Sequence, residues 1–171
     1  LAVDTWFTVA PFVKDFCRQL DLDDAMLTLR LEQMIGLPPG SEKDAFVEMW
    51  VDPTHLFRPC PDPEISDHAC QIEIPVVDRG QQKPWDCTLR RQVSGDFVTV
   101  HPGHLRWMCD NWNASFENDE PLDNYPWTAL GYTYDWGNPD DPRGPSEYVA
   151  LAGSPAVFHA SIPTEEYCSG E

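Results

Sequence analysis

No stretch of the sequence reaches the roughly 18 uninterrupted apolar residues that a membrane-spanning helix needs. The longest apolar stretches, at 45–51 and 147–160, are interrupted by charge, Gly or Pro, so a soluble chain without a transmembrane segment is expected. Basic residues are also scarce: 11 Lys and Arg stand against 29 Asp and Glu, a formal charge of −18. A field of that sign repels phosphate backbones, which argues against general nucleic-acid binding. From Trp107 onward Arg143 is the only Lys or Arg, against twelve carboxylates, and this biases the last third toward cationic partners. Between Arg79 and Arg106 the balance reverses, and those bases are read as neutralising acidic neighbours in the fold. The GxSxG, Walker, GxGxxG and HExxH patterns are missing as well, so no standard nucleophile elbow, phosphate loop or zincin helix is present.

No CxxC pair occurs, which removes zinc-ribbon and thioredoxin-type readings. Cysteine itself is plentiful: Cys17, Cys60, Cys70, Cys87, Cys109 and Cys168 form an even, dispersed set. Such a set suits an exported chain, secreted or periplasmic, stapled by disulfides. The expected pairs are Cys60–Cys70, closing a short Pro-rich loop, Cys87–Cys109, and Cys17–Cys168, tying the two ends together. No leader with a basic start and an apolar middle is seen, so export rests on the cysteines. Asn113-Ala114-Ser115 fits the N-glycosylation sequon.

The 42% of apolar residues suffice for a hydrophobic core, and the 17 dispersed prolines break the chain into short elements. The clearest helix spans 24–35: Asp21, Asp23 and Asp24 supply a cap and first-turn charge, Leu27, Leu31, Met34 and Ile35 recur at helical spacing, and Gly36 stops it. Phe12, Phe16 and Leu20 predict a short helix after Pro11, and Leu105, Met108 and Trp112 another over 104–112. Branched and aromatic residues predict strands at 45–51, 71–77, 97–101, 129–136, 147–152 and 156–162, with Gly153-Ser154-Pro155 as a hairpin-like turn between the last two. Asp52 is placed to cap a single turn through His55. With no repeat and no linker, residues 1–171 read as a single layer-type α+β domain. Residues 1–40 form a mainly helical part, packed on a strand-rich remainder with a largely antiparallel sheet and two or three short helices in all.

Soft metal ligands gather at His101, His104, Met108 and Cys109, and again at His55, Cys60, His68 and Cys70, but neither spacing matches a standard site and the second suits a disulfide-closed loop better. The loop with Asp135, Asn138, Asp140 and Asp141 offers oxygen ligands of the kind Ca²⁺ takes, without the EF-hand order; apart from that, no cofactor is expected. Tyr132, Tyr134 and Trp136 alternate on one face of a strand, and Trp127 and Thr128 stand just before it, so Trp127, Thr128, Tyr134 and Trp136 are candidate ligand-binding residues. A catalytic set would draw on His55 or His104 as acid or base, Arg58 as anion clamp, Tyr132 or Tyr134 as donor and Glu147 as carboxylate.

These features lead first to an exported, acidic, disulfide-stabilised recognition module that contacts an envelope, glycan or protein partner. The alternatives are a small secreted hydrolase or effector enzyme using the His/Arg/Tyr/Glu set, and an envelope metal-binding protein.

Overall fold

The structure, a computed structural model, describes residues 1–41, 43–67, 70, 102–115, 124 and 127–169. The expected strands at 71–77 and 97–101, together with His68, Cys87 and His101, lie outside the described residues. The described elements, in chain order, are β1 (Thr5–Thr8), α1 (Phe12–Cys17), α2 (Asp24–Met34), β2 (Ala45–Trp50), a 3₁₀ turn (Pro53–His55), α3 (Pro102–Ala114), β3 (Tyr132–Tyr134), β4 (Arg143–Ala150), β5 (Val157–Pro163) and α4 (Thr164–Cys168). The fold class is α+β with antiparallel sheets and strands concentrated in the second half.

Helix α2 forms where its caps dictate. Asp23 accepts a hydrogen bond from Met26 N (3.0 Å), satisfying a free first-turn donor. At the other end Gly36 adopts φ +73°, and Leu37 N donates to Glu32 O while Gly36 N donates to Gln33 O, the pair of bonds that closes a Schellman ending. Buried Leu27, Leu31 and Met34 face Val13 and Cys17 of α1 and Tyr167 and Cys168 of α4, forming one core against Phe46 and Ile162 of the β2–β5 pair. The Cys17–Cys168 disulfide runs through this core and joins α1 to α4.

The strands form two separate antiparallel sheets, β1-β4-β3 and β2-β5. Strand β4 pairs with β1 through Thr5↔Ala150 to Thr8↔Glu147 and with β3 through Tyr132↔Ser146. Strand β5 pairs with β2 from Ala45↔Pro163 to Trp50↔Val157. The hairpin expected between β4 and β5 is therefore absent: the turn at 153–155 carries the chain from one sheet to the other, because β4 is already flanked by β1 and β3. Strand β1 is not among the expected strands; Trp6-Phe7-Thr8 is a β-forming triplet ahead of the Pro11 break, and β4 supplies its pairing partner from far along the chain.

A second core holds Met108, Cys109, Trp127 and Ala129 with Trp107 and Trp112 against them. Trp6 approaches Trp107 at 5.6 Å and Trp127 at 5.7 Å, and Trp127 lies 6.1 Å from both Trp107 and Trp112, so four indoles share one cluster. The Cys60–Cys70 disulfide closes the loop expected for it. Cys109 is also disulfide-bonded, and its expected partner Cys87 lies outside the described residues.

Candidate functional site

The two sheets, the exit of α2 and the end of α3 enclose a cavity of about 590 Å³. Its position follows from how α2 is tied to β3. Thr133 Oγ1 donates to Met34 O (2.6 Å), Trp136 Nε1 donates to Leu37 O (2.9 Å), and Arg30 of α2 makes a bidentate pair with Asp135 (2.7 and 2.8 Å). These bonds hold Ile35, Gly36 and Leu37 against Thr133 and Tyr134, forming one wall. Gly36 is favoured there by its left-handed φ of +73°, since a Cβ would stand at ordinary contact distance, 3.4 Å, from the Tyr134 backbone. Strand β1 supplies Trp6 and Thr8, β2 supplies Phe46, α3 supplies Asn111 and Ser115, and Trp127 and Glu147 complete the lining.

Against that largely apolar wall stand two unmet polar groups. Oε2 of Glu147 and Nε1 of Trp127 are buried without a hydrogen-bond partner among the described residues. Glu147 sits in mid-strand opposite Thr8, and its backbone N–H donates to Gly131 O (2.9 Å), so the strand fixes its side chain on the same face as Thr8. Among the described residues no counter-charge reaches it, and burial pushes its carboxyl from about 4.5 up to about 8, leaving it protonated and neutral at pH 7. The Trp6 and Trp127 rings meet edge to face, at 86°, beside it.

Of the sequence-level candidates, Glu147, Trp127 and Tyr134 line the cavity. Thr128 does not: its hydroxyl donates to Tyr132 O (2.6 Å) and accepts from Leu130 N (3.1 Å), which builds the turn that places Ala129 at φ +55°. The expected face of Tyr132, Tyr134 and Trp136 is cut short, because β3 ends at Tyr134 and the chain turns at Asp135, sending the Trp136 indole to the α2 exit. The five candidate catalytic residues are dispersed. His55 is exposed on the 3₁₀ turn. His104 Nε2 donates to Cys60 O (2.7 Å) and its ring packs on Phe57 and Trp107. Burial lowers the His104 pKa against the opposing pull of the Cys60 carbonyl and Asp62. Arg58 is fully buried, donates to Asp67 O and places its guanidinium 5.8 Å from the Tyr148 ring, behind the strand face that carries Glu147. Tyr132 is half-buried at the β3–β4 pairing.

Asp135 commits both oxygens to Arg30 and Asp141 pairs with Arg143 at 2.8 Å, while Asn138 accepts from Asp141 N (3.4 Å) and Asp140 is exposed. Among the described residues no three His, Cys, Asp or Glu side chains converge to hold an ion. Cys60 and Cys70 are joined to each other, and Met108 is packed in the indole core. Trp6, Thr8, Phe46, Asn111 and Ser115 escaped the sequence reading of the site; the one local signal was the strand-forming character of 6–8, since convergence of β1, β2 and α3 is a long-range property. Comparisons with protein-family models, with curated proteins and with solved structures find no match.

Proposed function

We propose that this chain is an exported, acidic, disulfide-stapled recognition module that binds a small ligand in the cavity beside Glu147. The observation that carries this reading is the pair of unmet polar groups, the Glu147 carboxyl and the Trp127 indole N–H, in the wall of a mostly apolar cavity. Leaving a buried polar group unpaired costs about 1–3 kcal/mol, and a ligand that pairs one of them recovers that energy on binding. A volume of about 590 Å³ falls in the range of ligand pockets, and an apolar lining with a few polar groups is their usual composition. This supports a small ligand ahead of the envelope, glycan or protein partner expected from sequence. The disulfides support export, since such bonds persist in oxidising compartments.

The test is titration of the whole chain with the neutral, environment-sensitive dye N-phenyl-1-naphthylamine. The expected result is saturable binding at one site, weakened at least about tenfold by Ala114→Trp, which adds a large ring to the lining at an exposed position on α3. Absence of saturable binding, or equal binding by the variant, overturns the reading.

A further inference from the structure

We propose that the cavity takes an organic cation, an ammonium carried on an apolar body, with the ammonium against the Glu147 carboxylate and the body against the Trp6 and Trp127 rings. This rests on the reading of the cavity as a ligand site and adds the class of ligand. Three observations converge on it. Glu147 is a buried carboxyl with no hydrogen-bond partner and no counter-charge among the described residues, and a cation supplies both. Two indole rings, Trp6 and Trp127, stand in the same wall and offer apolar surface to the body that carries the ammonium. The chain carries −18, so its field concentrates cations and disfavours anions.

The surroundings of Glu147 leave that role to it alone. Among the described lining residues Tyr134 of β3 is the only other ionisable side chain; β1, β2, α3 and the α2 exit present none, and Arg58 lies behind β4. An arriving ammonium ionises the carboxyl, and the proton leaves to solvent. Binding is therefore linked to pH: affinity for the cation rises with pH up to about 8 and levels off above it.

The experiment titrates the whole chain with dansylcadaverine, a primary ammonium on an apolar chain and ring, and with N-acetyl dansylcadaverine, which keeps chain and ring but is neutral. At pH 8 the ammonium dye is expected to bind at least about tenfold more tightly, as one charge-assisted hydrogen bond supplies. Between pH 6 and pH 8 its affinity is expected to rise by about fiftyfold in all, close to tenfold over the first unit and about fivefold over the second, with no such rise for the acetylated dye. Glu147→Gln replaces an already neutral side chain by one of the same shape, so the fold is retained. It is expected to abolish both the ammonium preference and the pH response. The rest of the charged surface is untouched, which separates this carboxyl from the general field. Equal affinity for the two dyes, or a preference that persists in Glu147→Gln, overturns the cation assignment and leaves the cavity as a ligand site. Failure of both dyes to bind overturns the ligand site and the cation assignment together.

Discussion

Glu147 is the residue on which the molecule's response to pH turns. In the unfolded chain its carboxyl releases a proton near 4.5, and in the folded chain near 8, so between those values the folded state holds more protons. The stability this group contributes is complete below about pH 4.5 and is lost as pH rises to about 8, with a slope of up to about 1.4 kcal/mol per pH unit. His104 works in the opposite sense. Its lowered pKa means that the unfolded chain binds the proton more readily, so its contribution is present above about pH 6.5 and is lost as pH falls. Urea unfolding of wild type and Glu147→Gln across pH 5–9 separates the two, since His104 is common to both proteins. The stability of wild type relative to the variant is expected to fall steadily up to about pH 8 and then to stay level. The sequence named Glu147 as a carboxylate at the start of a strand, but not its isolation: that depends on Arg58, also named, being drawn to the Tyr148 face of the same strand.

At the scale of elements, α2 and β3 act as one unit because Arg30 and Asp135 join them across the wall of the cavity. Arg30→Met keeps the packing on Phe16 but strands a buried carboxylate, and is expected to cost about 3 kcal/mol, read as a lower midpoint in urea. This is also where the limits of sequence reading show. Helix α2 was legible to within a residue because its signals are local: Asp23 as cap, Leu27 and Leu31 on one face, Gly36 as stop. Asp52 likewise caps its turn through Thr54 N (2.9 Å) as read from sequence. The loop of Asp135 offers oxygens of the kind Ca²⁺ takes, and nothing within it reveals the guanidinium 105 positions away with which Asp135 pairs. The same reason hid the partition of strands into two sheets. Residues 143–146 were not read as strand, for Arg143-Gly144-Pro145 carries poor β signals, yet pairing with β3 extends β4 through them; Gly144 is required there, as a Cβ would strike Thr133 and Met34 O.

Across the whole molecule, the Cys17–Cys168 bond spans 151 positions and fastens α1 to α4 over the first core. The double variant Cys17→Ser/Cys168→Ser is expected to lose about 3–4 kcal/mol, chiefly through the freedom regained by the unfolded chain. Thiol titration of denatured, unreduced protein is expected to count no free SH, in line with every described cysteine being bonded. The indole cluster has a consequence of another kind. Trp6, Trp107, Trp112 and Trp127 come from β1, α3 and the segment ahead of β3, and their centroids lie 5.6–6.1 Å apart. Excited states of rings that close couple, so the protein carries a built-in chiroptical signature in the near ultraviolet that vanishes once these pieces separate.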